Sequence, residues 1–344
     1  MGKENSESKC LNMAFIFKTS VGSINSSFSE ENVSIVKKVT LPDGSEIPYV
    51  SGQAMRRYIR DKWEEMGLDI SPVNRLGVEA VEEEEEGETS ELEGEKKETE
   101  ESKVKEERAV AGPVMASSKC NPVEYIDDDL FGFMSSRRKD IRKRTSPVKV
   151  SPAIAFFSFK DDRDFGVRIT EEGKKNPKQM MPPFETEVYY NYFLCNILVD
   201  LERIGIFKDD NYGKVEKPRD LDGDKRKKRL SNLIEAVRDL WGGGKQARFL
   251  TDISPKFVIY SRQTVKKPIF LERIKMKKDE TIDVPSIEET LKDESNLLGK
   301  VIVGATDGFG GVKVGQQILN NTITIENISK AFADILTDAE SAVT

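Results

Sequence analysis

The chain has 344 residues, enough for two domains or for one large domain with insertions. Hydrophobic residues make up 37% and glycine adds 24 positions, ample for a core, so wholesale disorder is excluded. Histidine is absent, which excludes Ser-His-Asp and Cys-His nucleophile pairs, HExxH zinc sites and His-ligated iron.

The formal charge of −7 is unevenly spread. Val78–Arg108 holds 15 Glu against 5 Lys and Arg, so the remaining sequence is mildly basic. The whole-chain pI therefore does not argue against nucleic-acid binding, because the local field matters. Cys10, Cys120 and Cys195 are far apart and no CxxC occurs, which supports neither a zinc ribbon nor a disulfide scaffold. The polar start MGKENSESKC does not read as a signal peptide. MGKENS fits a myristoylation pattern at Gly2 and Ser6 but lacks a polybasic flank. Apolar runs such as Ala153–Phe159 are too short to span a bilayer. A soluble, cytoplasmic protein without a membrane partner or a cofactor is expected.

Leu11–Thr19 is an apolar run bounded by polar residues and predicts a buried strand. Pro42-Asp43-Gly44 is a turn signal. Ser51 is a good N-cap, and Met55, Tyr58, Ile59, Trp63 and Met66 recur at helical spacing before Gly67. Residues 71–118 are low in complexity and contain the block Glu82–Glu86, which predicts a disordered acidic insert. VEYIDDDLFGFM is a short element, followed by a basic, finger-like insert within 119–149. Lys149–Phe159 predicts a second strand and Phe184–Leu201 a third, bent one. Leu230–Trp241 predicts an amphipathic helix stopped by Gly242-Gly243-Gly244, and Phe249–Tyr260 a fourth strand. The order is β-α-β-β-α-β, the ferredoxin-like order, so the predicted class is α+β. It spans residues 1–260 with insertions, and 261–344 form a C-terminal extension completing it. There, Ile287–Leu298 predicts a helix, Lys300–Ala305 a strand and Ile325–Leu336 a last helix.

Ser51–Arg60 is the strongest local feature. A Ser-Gly pair at a helix N-terminus exposes backbone N–H groups and a partial positive charge, which favour phosphate. Arg56, Arg57 and Arg60 lie off the apolar stripe. The same residues also make an ordinary capped helix with solvated arginines. A second cluster comprises Arg137, Arg138, Lys139, Arg142, Lys143, Arg144 and Lys149, against one acid, Asp140. It is the electrostatic footprint of a phosphate-backbone contact, or a solvated charge run. Lys225–Arg229 is basic too, but four acids lie close by. Asp127-Asp128-Asp129 suggests Mg²⁺, yet consecutive side chains diverge, and the alternative is that these acids cap or anchor their element. GATDGFGGVKVG fits neither a P-loop nor a dinucleotide fingerprint. No K/R-G-F/Y-G/A-F-V-x-F/Y string occurs, so base stacking by sheet aromatics is not expected.

Six ordered segments carry a resemblance. They are SVGSINSS with Asn25, PYVSGQAMRRYIRD, DDDLFGFM, RTSPVKVSPAIAF, PFETEVYYNYFLCNILVDLERIG and LSNLIEAVRDLWGGGKQARFLTDISPKFVI. Together they span Cys10 to about Tyr260. The sequence resembles the crRNA-binding backbone subunit of type I CRISPR effector (Cascade) complexes. The type I-B branch fits best, in the DevR-like part of the repeat-associated mysterious protein (RAMP) superfamily. The resemblance implies a modified ferredoxin-like, RRM-like palm carrying fingers and a thumb. It implies copies that stack in a helical filament along a guide crRNA and present its bases to target DNA, alongside other Cascade subunits and without cutting. By similarity, Ser51, Gly52, Gln53, Arg56, Arg57 and Arg60 fall at the guide backbone. Arg137, Arg138, Arg142, Lys143 and Arg144 follow, then Asn25, Lys37 and Lys38, with Lys245 and Arg248 beside the loop from Gly242. One alternative is a metal-dependent RNA endonuclease, as in type III backbone subunits, with Glu30, Glu31, Asp43 or Glu46 as the acid. Another is an adaptor that uses the acidic tract.

Overall fold

The structure, a computed structural model, describes residues 8–30, 32–72, 120–137, 140–167 and 183–343. The acidic insert from residue 73 onward, Glu31, Arg138 and Lys139 lie outside the described residues. In chain order come β1 (Cys10–Gly22), β2 (Ser26–Glu30), β3 (Val33–Val36), β4 (Lys38–Thr40), β5 (Glu46–Val50) and α1 (Gly52–Glu65). Next are α2 (Ile126–Phe131), the hairpin β6 (Phe133–Arg137) and β7 (Asp140–Arg144), then β8 (Val148–Val150), β9 (Ala153–Ala155), β10 (Arg163–Gly166), β11 (Phe184–Glu187) and β12 (Tyr189–Asp200). The chain closes with α3 (Gly223–Arg238), α4 (Gln246–Phe249), β13 (Phe257–Gln263), α5 (Val284–Asp293), β14 (Leu298–Ala305), β15 (Gln317–Ile318), β16 (Ile323–Asn327) and α6 (Ile328–Ser341). Among the described residues, no helix is long and apolar enough to cross a membrane.

A ten-stranded sheet runs β15-β16-β14-β13-β1-β12-β9-β5-β4, with β8 also on β12. Strand β1 is antiparallel to both neighbours, in register Phe15↔Cys195 on β12 and Phe15↔Val258 on β13. Its two faces bury different cores, which is why the sequence reads as a continuous apolar run. Leu11, Met13, Phe15 and Phe17 join residues of α1, α3 and α6, including Trp63, Leu233 and Phe332. Ala14 and Ile16 meet Phe270, Ile282, Ile287 and Ile325 from the C-terminal segment. The Trp63 Nε1–H donates to Asn232 O at 3.0 Å and ties α1 to α3. A four-stranded sheet, β10-β11-β3-β2, stands apart, and β6–β7 form a two-stranded one.

Several expected boundaries shift for local reasons. Lys149–Phe159 is not one strand. It breaks at Ser151-Pro152, because proline has no N–H for the ladder. Phe184–Leu201 is broken at Val188, and its halves belong to different sheets. The fourth strand starts only at Phe257; Gln246–Phe249 is instead a helical turn between left-handed Lys245 and Leu250. Helix α3 starts at Gly223, seven residues before the expected start, capped by Asp222, whose carboxylate accepts from Lys225 N at 2.8 Å. That helix ends at Arg238, and Trp241 is about half exposed. Ile325 lies in β16, and Asn327 caps α6.

The triplet Asp127–Asp129 is a structural anchor. Asp127 accepts from Arg60 Nε at 3.0 Å and Ser71 N at 2.9 Å, and Asp128 from Asn121 N at 2.9 Å. Asp129 lies fully buried against Arg144 and Arg229, and also accepts from Gly205 N at 3.1 Å. Arg144 further pairs with Asp210 and donates to Ile206 O and Arg203 O. Arg229 donates to Pro122 O and Val123 O. This hub holds α2, the β6–β7 hairpin and α3 together. Asp129→Ala leaves two buried guanidinium groups short of their shared carboxylate. It is expected to destabilise the fold by about 3–5 kcal/mol, read as a lower urea midpoint. A midpoint unchanged from the wild type would show that the hub is dispensable.

Candidate nucleic-acid interface

The N-terminus of α1 is pressed onto its surroundings. Ser51 is extended and its Oγ accepts from Ala54 N at 3.3 Å, closing the helix cap. At Gly52 a Cβ would come within 2.6 Å of Val150 O, so only glycine lets the helix start against the β8–β9 link. The Ser51 N–H donates to Asn25 Oδ1 at 3.0 Å, and Asn25 O accepts from Lys37 N at 3.1 Å. Asn25 thus spends both oxygens on protein. It clamps the β1–β2 loop to α1.

Ile24 is the pivot of this loop. Its N–H donates to the Tyr189 hydroxyl at 3.1 Å; its carbonyl accepts from the Tyr58 hydroxyl at 2.9 Å and from Gly244 N at 2.8 Å. Gly243, at φ +111°, would put a Cβ 2.9 Å from Ile24 Cγ2, so the glycine run is required for this close approach. The α1 N-terminus, residues 22–25 and the loop 242–248 therefore converge. Tyr58 and Tyr189 went unnoticed in the sequence because each reads there as an apolar position of its element. Burial pushes the Tyr58 hydroxyl up to about 12, with help from Asp61, so it stays a donor.

The cations divide into spent and available groups. Arg56 is half-buried, 5.9 Å from the Phe131 ring centroid, and its Nε has no hydrogen-bond partner among the described residues. Burial, then the charge of Arg60, pulls its pKa below the usual arginine value. Arg57 is exposed and, among the described residues, pairs with Asp61, one helical turn on. Gln53 is exposed. Arg60 pairs with Asp127 and lies 4.9 Å from the Phe131 centroid. Lys37 has no ion pair among the described residues, whereas Lys38 is taken up by Glu46 at 3.1 Å and Glu187 at 3.2 Å. The Lys245 Nζ and Arg248 Nη1 each donate to Thr186 Oγ1 at 3.2 Å. Burial, then Arg248, lowers the pKa of Lys245. Arg248 also pairs with Asp164 and stands 5.1 Å from both the Phe184 and Phe249 centroids.

The expectation for Arg144 fails. Its side chain is fully buried in the hub and cannot meet a ligand, because Asp129 and Asp210 already compensate its charge. Lys38 keeps some exposure and is held by Glu46 and Glu187. Lys143 is exposed on the hairpin, bound to Asn211 only through backbone bonds of 2.7 and 3.0 Å, and Arg142 is half-buried. Arg137 ends β6, and its side chain lies outside the described residues, as Arg138 does. The sequence treats the hairpin and α1 as separate clusters, and in the structure they remain on separate elements.

Comparison with known proteins follows this geometry. The chain is similar in fold to a chain of a "CRISPR RNA-guided surveillance complex", with TM-score 0.56, 12% identity and coverage of 96% of this chain and 99% of that one. A chain of a "CRISPR RNA-guided surveillance complex, pre-nicking" gives 0.57 and 12%, covering 96% of this chain and 100% of that one. No curated protein matches. The family model for the CRISPR-associated negative auto-regulator DevR/Csa2 matches residues 13–283, most of the chain. The stretch it matches runs from β1 through α1, the converging loops and the glycine run to the start of α5, and the chain belongs to the CRISPR-associated DevR/Csa2 family.

Proposed function

We propose that the chain is a non-catalytic backbone subunit of a CRISPR effector complex. It binds guide RNA by the sugar–phosphate backbone and leaves the bases free to pair with target DNA. Several copies line up along one guide in the cytoplasm, beside other subunits of the complex. The ordered motifs support a type I-B system, and the spatial order β13-β1-β12-β9 supports a ferredoxin-like palm with the basic hairpin as a finger.

Arg56 carries this reading. A guanidinium half-buried beside that of Arg60, with no ion pair among the described residues, lacks the counter-charge that a phosphate supplies. On the same helix Ser51, Gly52 and Gln53 offer a helix start and Arg57 adds charge, and Lys37, Lys245 and Arg248 add charge on the elements packed beside it. Backbone amides, glycines and cations hold phosphates and read no base edge, as a subunit serving any guide requires. The related chains sit in RNA-guided complexes, which supports RNA as the ligand. In the loop before α1, Asp43 accepts from Ser45 and Glu46 pairs with Lys38, so neither acid favours the cutting alternative.

Full-length protein is expected to bind unrelated single-stranded RNAs alike by fluorescence anisotropy. Arg56→Ala is expected to weaken all of them about tenfold and to lower the slope of log K against log salt by about 0.7. Unchanged affinity removes the site; a loss confined to one sequence removes the backbone-only reading. The assembled complex is expected to leave complementary RNA intact in Mg²⁺. Regular cuts abolished by Asp43→Ala would make the subunit a nuclease instead.

A further inference from the structure

Residues 269–325 cover most of the second face of the central sheet, but the cover stops short of the start of β12. There Tyr190 and Tyr192 share one face, and Lys18 of β1 stands opposite Tyr192. Tyr190 is 48% exposed. The Lys18 Nζ lies 4.6 Å from the Tyr190 centroid and 5.1 Å from that of Tyr192. The two rings meet edge to face, 6.1 Å apart at 85°. Both hydroxyls donate to Glu280 Oε2, at 3.1 and 2.8 Å. Glu280 is held at φ +63°, the left-handed region, by a turn closed through Lys277 and Thr281. An open aromatic ring is therefore fixed by its own hydroxyl.

Beside Tyr190 opens a cleft of about 690 Å³, lined by Phe157 and Phe159 and by Lys160, Lys278, Asp43 and Asp162. That volume suits one nucleotide-sized group. Its charges nearly balance, which suits a base more than a run of phosphates. The preceding residue, Tyr189, points to the other face and holds Ile24, so the cleft and the converging loops flank β12 one residue apart.

We propose that Tyr190 stacks on one unpaired nucleobase of a single-stranded nucleic acid through the ring face opposite Lys18, with Lys18 over the other face and Glu280 fixing its orientation. The missing RRM signature argued against sheet stacking, but that signature describes an open sheet centre, and here only the sheet end is open. The contact is sequence-tolerant, because every base has a π-face. It is separate from the Arg56 site and does not rest on it.

The test photocross-links full-length protein to a single-stranded RNA carrying 5-iodouridine and, separately, to the matching DNA carrying 5-iododeoxyuridine. Adducts are mapped by mass spectrometry. An adduct at Tyr190 is expected, and the oligonucleotide that gives it identifies the strand type. Tyr190→Ala is expected to weaken binding about tenfold, while Tyr190→Phe stays within about twofold. Combined with Arg56→Ala, the two losses should multiply. Loss on Tyr190→Ala with none on Arg56→Ala sinks the guide site and leaves this one standing. Adducts only elsewhere, or unchanged affinity of Tyr190→Ala, overturn the proposal. So does a changed sedimentation coefficient of the nucleic-acid-free Tyr190→Ala protein with unchanged affinity, which would make the patch a protein contact.

Discussion

Strands β1 and β12 have almost no free face. One side of the pair is sealed by α1, α3 and α6, the other by the segment from Ile269 to Ile325. A sheet buried twice contributes stability through area removed from water, about 25 cal/mol for each Å². It cannot offer its centre to a ligand. Binding groups are left to the strand ends and the loops that leave them. The converging loops at Ile24 and the open ring of Tyr190 lie at such an end, on opposite sides of β12.

Burial also sorts the arginines. A charge withdrawn from water needs a compensating partner, and Arg144 and Arg229 find theirs in Asp129. Arg60 finds Asp127. These residues convert a run of three acids, which resembles a cation site, into the joint between α2, the basic hairpin and α3. Arg56 stands between the two extremes. It is withdrawn enough to be short of water and has no acid to replace it. That imbalance sets Arg56 apart from the structural arginines more sharply than its place in an Arg-Arg pair.

The glycines of 242–244 and Gly52 are another case of function resting on packing. Gly52 and Gly244 lack a side chain where another backbone comes close, and Gly243 where the Ile24 side chain packs. The result is a tightly packed junction between the α1 start, residues 22–25 and the loop from Gly242.

The apolar spacing of Met55, Ile59 and Trp63 and the cap at Ser51 determined α1 without help from the rest of the chain, because helix periodicity and capping are local. The run Leu11–Thr19 likewise announced a buried strand, and the absence of histidine bounded the chemistry. The ordered motifs announced the family. Strand ends were less legible: Phe184–Leu201 is rich in aromatic and β-branched residues and holds neither glycine nor proline, so no breaker marks the break at Val188 where the chain changes sheets. Only the tertiary structure decided which cations are buried. Arg144 and Arg142 stand two residues apart in the same basic run, yet one is sealed against Asp129 and Asp210 and the other stays half-buried on the hairpin. A salt bridge across 15 or 66 residues depends on chain closure, and no spacing within the hairpin encodes it.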